Sequence, residues 1–258
     1  MKYALLGEKL GHSYSKVIHE KYFKIKSDKS SYELIETPKE NLASTVNTLL
    51  KEDYSGFNVT IPYKTDVYNM CDMLSDEAKK IGSINTVKVL NGKLHGFNTD
   101  YYGLKLALSY NGVSLEGKRV VILGTGGASK AVVSLCEDLN CSNIKLVSRA
   151  PKPCGKHSVI SYSEINGGDI IINTTPVGMY PNTEVTPCNN FFDFKVAVDL
   201  IYNPSQTLFL KTAHESGLKT VNGLYMLVAQ ALYSQSIWNN INTDFNAINK
   251  IYSEMGGK

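Results

Sequence analysis

The chain has 258 residues, 43% of them hydrophobic and 20% charged, with 27 basic and 24 acidic side chains giving a net charge of +3. That length leaves room for two domains or one large one, and the composition is that of an ordinary soluble globular chain. Lysine and arginine form no cluster, which argues against a nucleic-acid stripe or a polybasic membrane patch, and no apolar run approaches a membrane span. The N-terminal MKYALLGEKLGHS has too short an apolar stretch for a signal peptide. Cys71, Cys136, Cys141, Cys154 and Cys188 are odd in number and form no C-x-x-C pair, so free thiols and a cytoplasmic location are expected.

Lys2 to Leu6 reads as a short strand that ends in Gly7. Val17, Ile18, Tyr22 and Phe23 then recur at helical spacing, which puts Ser13 or Ser15 at or near a helix N-terminus. Two hydroxyls beside free backbone donors make a place for a carboxylate, although a plain N-cap is the commoner role of such a serine. Ser31 to Glu36 alternates as a strand does, and 38–50 has helical periodicity behind a proline. The strand beginning at Gly56 breaks at Pro62 into another helix. Asn58, Thr60 and Lys64 gather at its C-terminal end, where open α/β sheets present their ligands.

A charged helix over 75–80 leads through Gly82-Ser83-Ile84-Asn85-Thr86 into a hairpin, 86–90 and 93–98, about an Asn91-Gly92 turn. Asp100 precedes a helix over 101–110, where an N-cap and a functional carboxylate are both compatible with its position. Lys118 to Ala131, KRVVILGTGGASKA, then changes from strand period to helix period across a glycine turn. Gly124 permits the turn, Gly126 lets a pyrophosphate approach the backbone, and the first N–H groups of the new helix face that anion. Ser129 stands where the dinucleotide fingerprint prefers Gly or Ala.

The next strand, 143–147, ends in Ser148-Arg149 with Lys152 beyond. A site for NAD normally carries an acid there to accept from the ribose 2′-hydroxyl, whereas a 2′-phosphate needs cationic donors. Arg149 and Lys152 therefore favour NADP. A charge-assisted hydrogen bond of about 1.5–3 kcal/mol supplies roughly one to two decades of preference. Arg149 also counts against a methyltransferase using S-adenosylmethionine, which would be expected to have an acid at that point. Further strands are expected over 169–172, leading into Asn173-Thr174-Thr175-Pro176, and over 196–200, before Tyr202. Helices follow over 205–216 and 224–237. Gln230, set among apolar neighbours in the last of these, either finds a partner or faces solvent.

Taken together, His12-Ser13-Tyr14-Ser15, Asn58-Val59-Thr60-x-Pro62-x-Lys64, Gly82-Ser83-x-Asn85-Thr86, Asn98-Thr99-Asp100, GTGGASKA, Asp199-x-x-Tyr202 and GLYMLVAQAL resemble the shikimate dehydrogenase family over nearly the whole chain. The resemblance implies an α/β fold in two parts, with an active-site cleft between them. One is a discontinuous substrate-binding domain, residues 1–100 and 222–258, and the other a doubly wound Rossmann-type NADP-binding domain, 101–221. It implies NADPH-dependent, reversible reduction of 3-dehydroshikimate to shikimate, a step toward chorismate and the aromatic amino acids. No metal is implied.

Carried over position by position, Lys64 and Asp100 are the catalytic pair. Ser13 and Ser15 hold the substrate carboxylate, and Asn58, Thr60, Asn85, Asp100, Tyr202 and Gln230 complete the substrate site. Gly124, Thr125, Gly126, Gly127 and Ala128 bind pyrophosphate. Ser148, Arg149 and Lys152 take the 2′-phosphate, while Asp76, Leu200 and Gly223 line the cofactor site. The family often shows Asn-Arg-Thr with a second arginine where this chain has Ser148-Arg149-Ala150 and Lys152, which bears on the strength of NADP preference more than on its direction. Retention of both Ser13 and Ser15 looks more like the shikimate-specific members. The competing readings are a quinate/shikimate dehydrogenase of broader substrate and cofactor use and a catalytically silent NADP-binding regulator. A monomer or homodimer is expected, with a small-molecule substrate and no nucleic-acid or membrane partner.

Overall fold

The computed structural model describes residues 1–11, 13–152 and 156–257. His12 and Cys154, both singled out above, lie outside the described residues. In chain order the elements are β1 (Lys2–Gly7), α1 (Ser15–Lys26), β2 (Ser31–Glu36), α2 (Leu42–Lys51), β3 (Tyr54–Val59), α3 (Lys64–Tyr68), β4 (Met73–Leu74), α4 (Asp76–Ile81), β5 (Thr86–Leu90), β6 (Lys93–Phe97) and α5 (Thr99–Tyr110). Then follow β7 (Arg119–Leu123), α6 (Gly127–Asp138), β8 (Asn143–Val147), β9 (Ser158–Ile160), β10 (Ile170–Asn173), β11 (Val196–Asp199), α7 (Leu208–Glu215), β12 (Lys219–Val221), α8 (Leu224–Asn239) and α9 (Phe245–Glu254).

The chain divides into two compact units, 1–103 with 228–258, and 104–227. The divisions therefore fall inside α5 and α8, three and six residues from the limits 100/101 and 221/222 expected from the sequence.

In the first unit six strands form a mixed sheet in the order β2-β1-β3-β5-β6-β4. Strand periodicity splits β1 between the two faces. Ala4 and Leu6 join the core built with Val46 and Leu49 of α2, Val67 of α3 and Ala78 of α4. Tyr3, on the other face, stacks on Trp238 of α8 at 4.5 Å. Gly56 in β3 has to be glycine because a Cβ there would run into the Trp238 indole, whose Nε1 donates to Val87 O at 2.9 Å. The β5–β6 hairpin turns at Asn91 and Gly92 with φ of 53° and 71°, the left-handed pair that such a turn needs.

The second unit carries an all-parallel sheet in the order β12-β11-β10-β7-β8-β9. Counted from β7 as first, that order is the doubly wound dinucleotide-binding one, and its switch point lies between β7 and β10. Val121, Leu123, Ile171 and Ala197 contribute one face to a core closed by Phe209 and Leu210 of α7. The helix expected over 205–216 begins only at Leu208. Thr207 caps it, its Oγ1 accepting from the Leu210 N–H at 3.2 Å, and that hydroxyl is itself held by Asp199 Oδ2 at 2.7 Å. Among the described residues no helix is long and apolar enough to cross a membrane.

Candidate active site

In the first unit β3 ends at Val59, the chain turns through Pro62, and α3 starts at Lys64, so the lysine emerges beside the C-terminal end of a central strand. Helix α5 starts at Thr99, two residues earlier than an Asp100 N-cap requires. Both Asp100 oxygens are instead taken by side chains. Lys64 Nζ lies 2.6 Å from Oδ2, and Asn85 Nδ2 donates to Oδ1 at 2.8 Å. The Lys64 and Asp100 side chains keep 17% and 12% of their surface exposed, so the pair is sheltered and still open to a small molecule.

Gln230, on the buried helix α8, does not face solvent alone: its Oε1 accepts from Asn85 Nδ2 and from Thr99 Oγ1, both at 3.3 Å. Asn58 is turned inward and buried. Its Oδ1 accepts from the Tyr32 hydroxyl at 2.8 Å, and its Nδ2 reaches Asn85 O, Thr86 Oγ1 and Ser234 Oγ at 3.1, 3.0 and 2.9 Å. Thr60, half-buried, follows β3, its N–H donating to Leu6 O at 2.9 Å. Ser15 is the first residue of α1 and buried, and Ser13 Oγ accepts from its N–H at 3.3 Å. Helix α1 thus opens with Ser15 at its first position and Ser13 just before its N-cap Tyr14, with no acidic residue in the first turn.

One neighbour of this network went unread in the sequence. His19 is fully buried against Tyr32, ring centroids 4.0 Å apart, and burial pushes its imidazole down to about 3. It is thus a neutral ring, and its Nδ1 lies 2.8 Å from Gln235 Nε2. Ser234 was also missed, although Gln230 and Ser234 sit four apart on one face of α8, which was the available signal.

In the second unit the glycine loop joins β7 to α6. Gly124 has φ of 109°, and a Cβ there would stand 2.8 Å from Thr174 Oγ1, beyond the end of β10. Gly126 takes the N-cap position of α6, with open space where a Cβ would project. A twelve-residue helix aimed from that opening offers its first N–H groups to an anion. Thr125, Gly127 and Ala128 complete the loop, and Ser129 folds inward to donate to Gly126 O at 2.6 Å, which explains why serine is tolerated at the sixth position. At the end of β8 Ser148 is half-buried and Oγ accepts from Ala150 N–H at 3.3 Å, while Arg149 and Lys152 are exposed. An open glycine cradle, a helix start and exposed cations at the second strand's end fit a dinucleotide carrying a 2′-phosphate.

Leu200 and Gly223 meet in this unit. A Cβ on Gly223 would collide with the Leu200 carbonyl, and Gly223 N–H donates to Ile201 O at 3.0 Å. Tyr202, half-buried, follows β11. Asp76 belongs to the first unit, where it opens α4 with its carboxylate almost wholly exposed, 3.4 Å from Lys79 Nζ.

A family model described as the shikimate dehydrogenase substrate binding domain matches residues 5–87. A curated relative, the NADP(+) shikimate dehydrogenase of Clostridium perfringens (strain 13 / Type A), is 42% identical over 98% of this chain and 97% of its own. The chain belongs to the shikimate dehydrogenase family. Among solved structures similar to it, a chorismate mutase/shikimate 5-dehydrogenase fusion protein from Clostridium acetobutylicum superposes with a TM-score of 0.95 at 44% identity, covering 99% of this chain and 97% of that one. The shikimate 5-dehydrogenase of Thermus thermophilus, in complex with NADP(H) and shikimate, gives 0.90 at 29% identity over 98% and 99%. The fold described above is thus that of solved shikimate dehydrogenases.

Proposed function

We infer that this chain is an NADP-dependent shikimate dehydrogenase that reversibly reduces 3-dehydroshikimate to shikimate, with Lys64 and Asp100 at the reacting centre. The observation that carries the assignment of residues is the Lys64–Asp100 pair at 2.6 Å, sheltered and fixed from behind by Asn85. NADPH supplies the hydride when bound. As the hydride reaches the ketone carbon, negative charge grows on its oxygen, and a donor within hydrogen-bond reach lowers the barrier. The Lys64 ammonium is that donor. Asp100 holds it in place and accepts from the hydroxyl of the substrate or product, so the pair exchanges the proton in either direction.

Ser13 and Ser15, at the start of α1, receive the substrate carboxylate, favoured there by the helix dipole and free N–H groups. Thr60, Asn85 and Gln230 bind ring hydroxyls, and Tyr202 is a further substrate-binding residue. Asn58 supports the site from inside through its buried carboxamide. Gly124 to Ala128 hold the pyrophosphate, Ser148, Arg149 and Lys152 the 2′-phosphate, and Asp76, Leu200 and Gly223 border the cofactor. The reading includes a cytoplasmic location, in keeping with the free thiols of Cys71, Cys136, Cys141 and Cys188 among the described residues.

The test is 3-dehydroshikimate-dependent oxidation of NADPH by purified protein, with shikimate identified as product. Absence of that product, with NADP still bound, would favour the silent-regulator reading.

A further inference from the structure

The network behind Asp100 fixes more than the acid itself. Thr99 backbone N–H lies 2.7 Å from Asn85 Oδ1. A backbone N–H only donates, so this atom is the carboxamide oxygen and the NH2 group is turned toward Asp100. The Thr86 and Thr99 hydroxyls also reach Asn85 Oδ1, each at 3.1 Å. Asn58 can be oriented in the same way. Its Nδ2 lies 3.1 Å from Asn85 O, a backbone carbonyl that only accepts, so the Asn58 NH2 group points into the cluster.

Thr86 stands directly opposite Asn58 in the β3–β5 register and accepts from that NH2 at 3.0 Å. Its own proton remains to be given. Thr99 Oγ1 and Ser234 Oγ lie 3.2 and 2.9 Å away, but both are hydroxyls that can donate as well as accept. Asn85 Oδ1 is the purely accepting atom of the three. All five residues, Asn58, Asn85, Thr86, Thr99 and Ser234, are buried, so water does not substitute readily for a missing partner.

We propose that Thr86 is a positioning residue, whose hydroxyl, oriented by Asn58, locks Asn85 so that its NH2 holds Asp100 Oδ1 and leaves Oδ2 to Lys64. The proposal rests on Lys64 and Asp100 being the proton-handling pair. It extends the site one layer back, along a directed series from Tyr32 through Asn58, Thr86 and Asn85 to Asp100.

The experiment compares Thr86→Val, Thr86→Ser and Thr86→Ala. Valine keeps the shape and removes the hydroxyl, serine keeps the hydroxyl and removes a methyl group, and alanine removes both. Loss of one buried hydrogen bond gives about a tenfold fall in kcat/KM for shikimate in Thr86→Val and Thr86→Ala, with Thr86→Ser within about threefold of the parent. NADP affinity stays unchanged in all three. A packing role gives the opposite order, with valine near the parent and serine as poor as alanine, and that order overturns the proposal. Should Thr86→Val not fold, the serine and alanine variants, which differ by one hydroxyl, decide alone. Side-chain amide NMR of Asn85 gives a readout that needs no turnover. Its NH2 signals move in Thr86→Ala and stay in place in Thr86→Ser, and unmoved signals in both overturn the proposal. An inactive parent whose Asn85 signals still respond would leave the positioning role standing and remove the functional reading instead.

Discussion

Asp199 offers a quantitative test of how the second unit is held together. It is fully buried at the end of β11, and burial pushes its carboxyl up to about 6 from an ordinary 3.8, against the opposing hydrogen bonds from Thr207, Ile201 N–H and Asn173. A raised folded value means that the fold favours the neutral acid. Its stabilising contribution is fully present below 3.8 and is lost as the pH rises through 6. The displacement corresponds to about 3 kcal/mol, of which about 2 kcal/mol falls between about pH 4 and about pH 7. Asp199→Asn removes the titration. Asparagine keeps an oxygen for Ile201 N–H and Asn173, and its new N–H faces Thr207 Oγ1, so any mismatch is a constant that cancels across pH. The assay is hydrogen exchange read by mass spectrometry on peptides containing β10 and β11, variant beside parent at each pH. Protection of the parent relative to the variant should fall about thirtyfold from about pH 4 to about pH 7. A ratio that does not change with pH would refute the argument that burial dominates at this carboxyl.

Two further outcomes follow from the second unit. Arg149→Ala should lower the preference for NADP over NAD by roughly one to two decades, read as the ratio of kcat/KM values, with shikimate KM little changed. Among the described cysteines, Cys141 should alkylate first at mildly alkaline pH. The neighbouring Cys136 thiol holds it below its ordinary value, whereas burial pushes Cys71 up to about 12 and raises Cys188, and the Cys141 contact, together with burial, raises Cys136. Peptide mapping after brief iodoacetamide treatment reads the order, and earlier labelling of Cys71 or Cys188 would contradict it.

What the sequence made legible was local. The apolar run 120–123 meeting glycines, the Asn91-Gly92 hairpin and the period of α1 each carry their signal within a few residues. Gly124 and Gly126 could be read as a phosphate loop because the requirement for a positive φ or an open approach belongs to single positions. Three-residue β9 and β12 and two-residue β4 were not anticipated, since strands so short take their identity from the neighbour they pair with. Helix α9 was missed too, although Asp244 caps it by accepting from Ala247 N–H at 2.9 Å.

The site divided in the same way. Lys64, Asn85 and Asp100 were singled out by motif, but Asp100 was equally compatible with an N-cap until its two oxygens were seen on Lys64 and Asn85. Thr86, Thr99 and Tyr32 gave no sequence signal that separates a hydroxyl in a buried network from one on a surface. Their roles arise from register, as when Asn58 and Thr86 fall opposite one another across β3 and β5.

The account stands most directly on Lys64. The measurement is the initial rate of nicotinamide reduction, crossing shikimate and quinate against NADP and NAD, with Lys64→Ala alongside. The account predicts turnover chiefly on shikimate with NADP, a fall of roughly 10²–10⁴-fold in the variant, and unchanged NADP binding. Near-normal turnover by Lys64→Ala would remove the lysine from the chemistry and contradict the account at its centre.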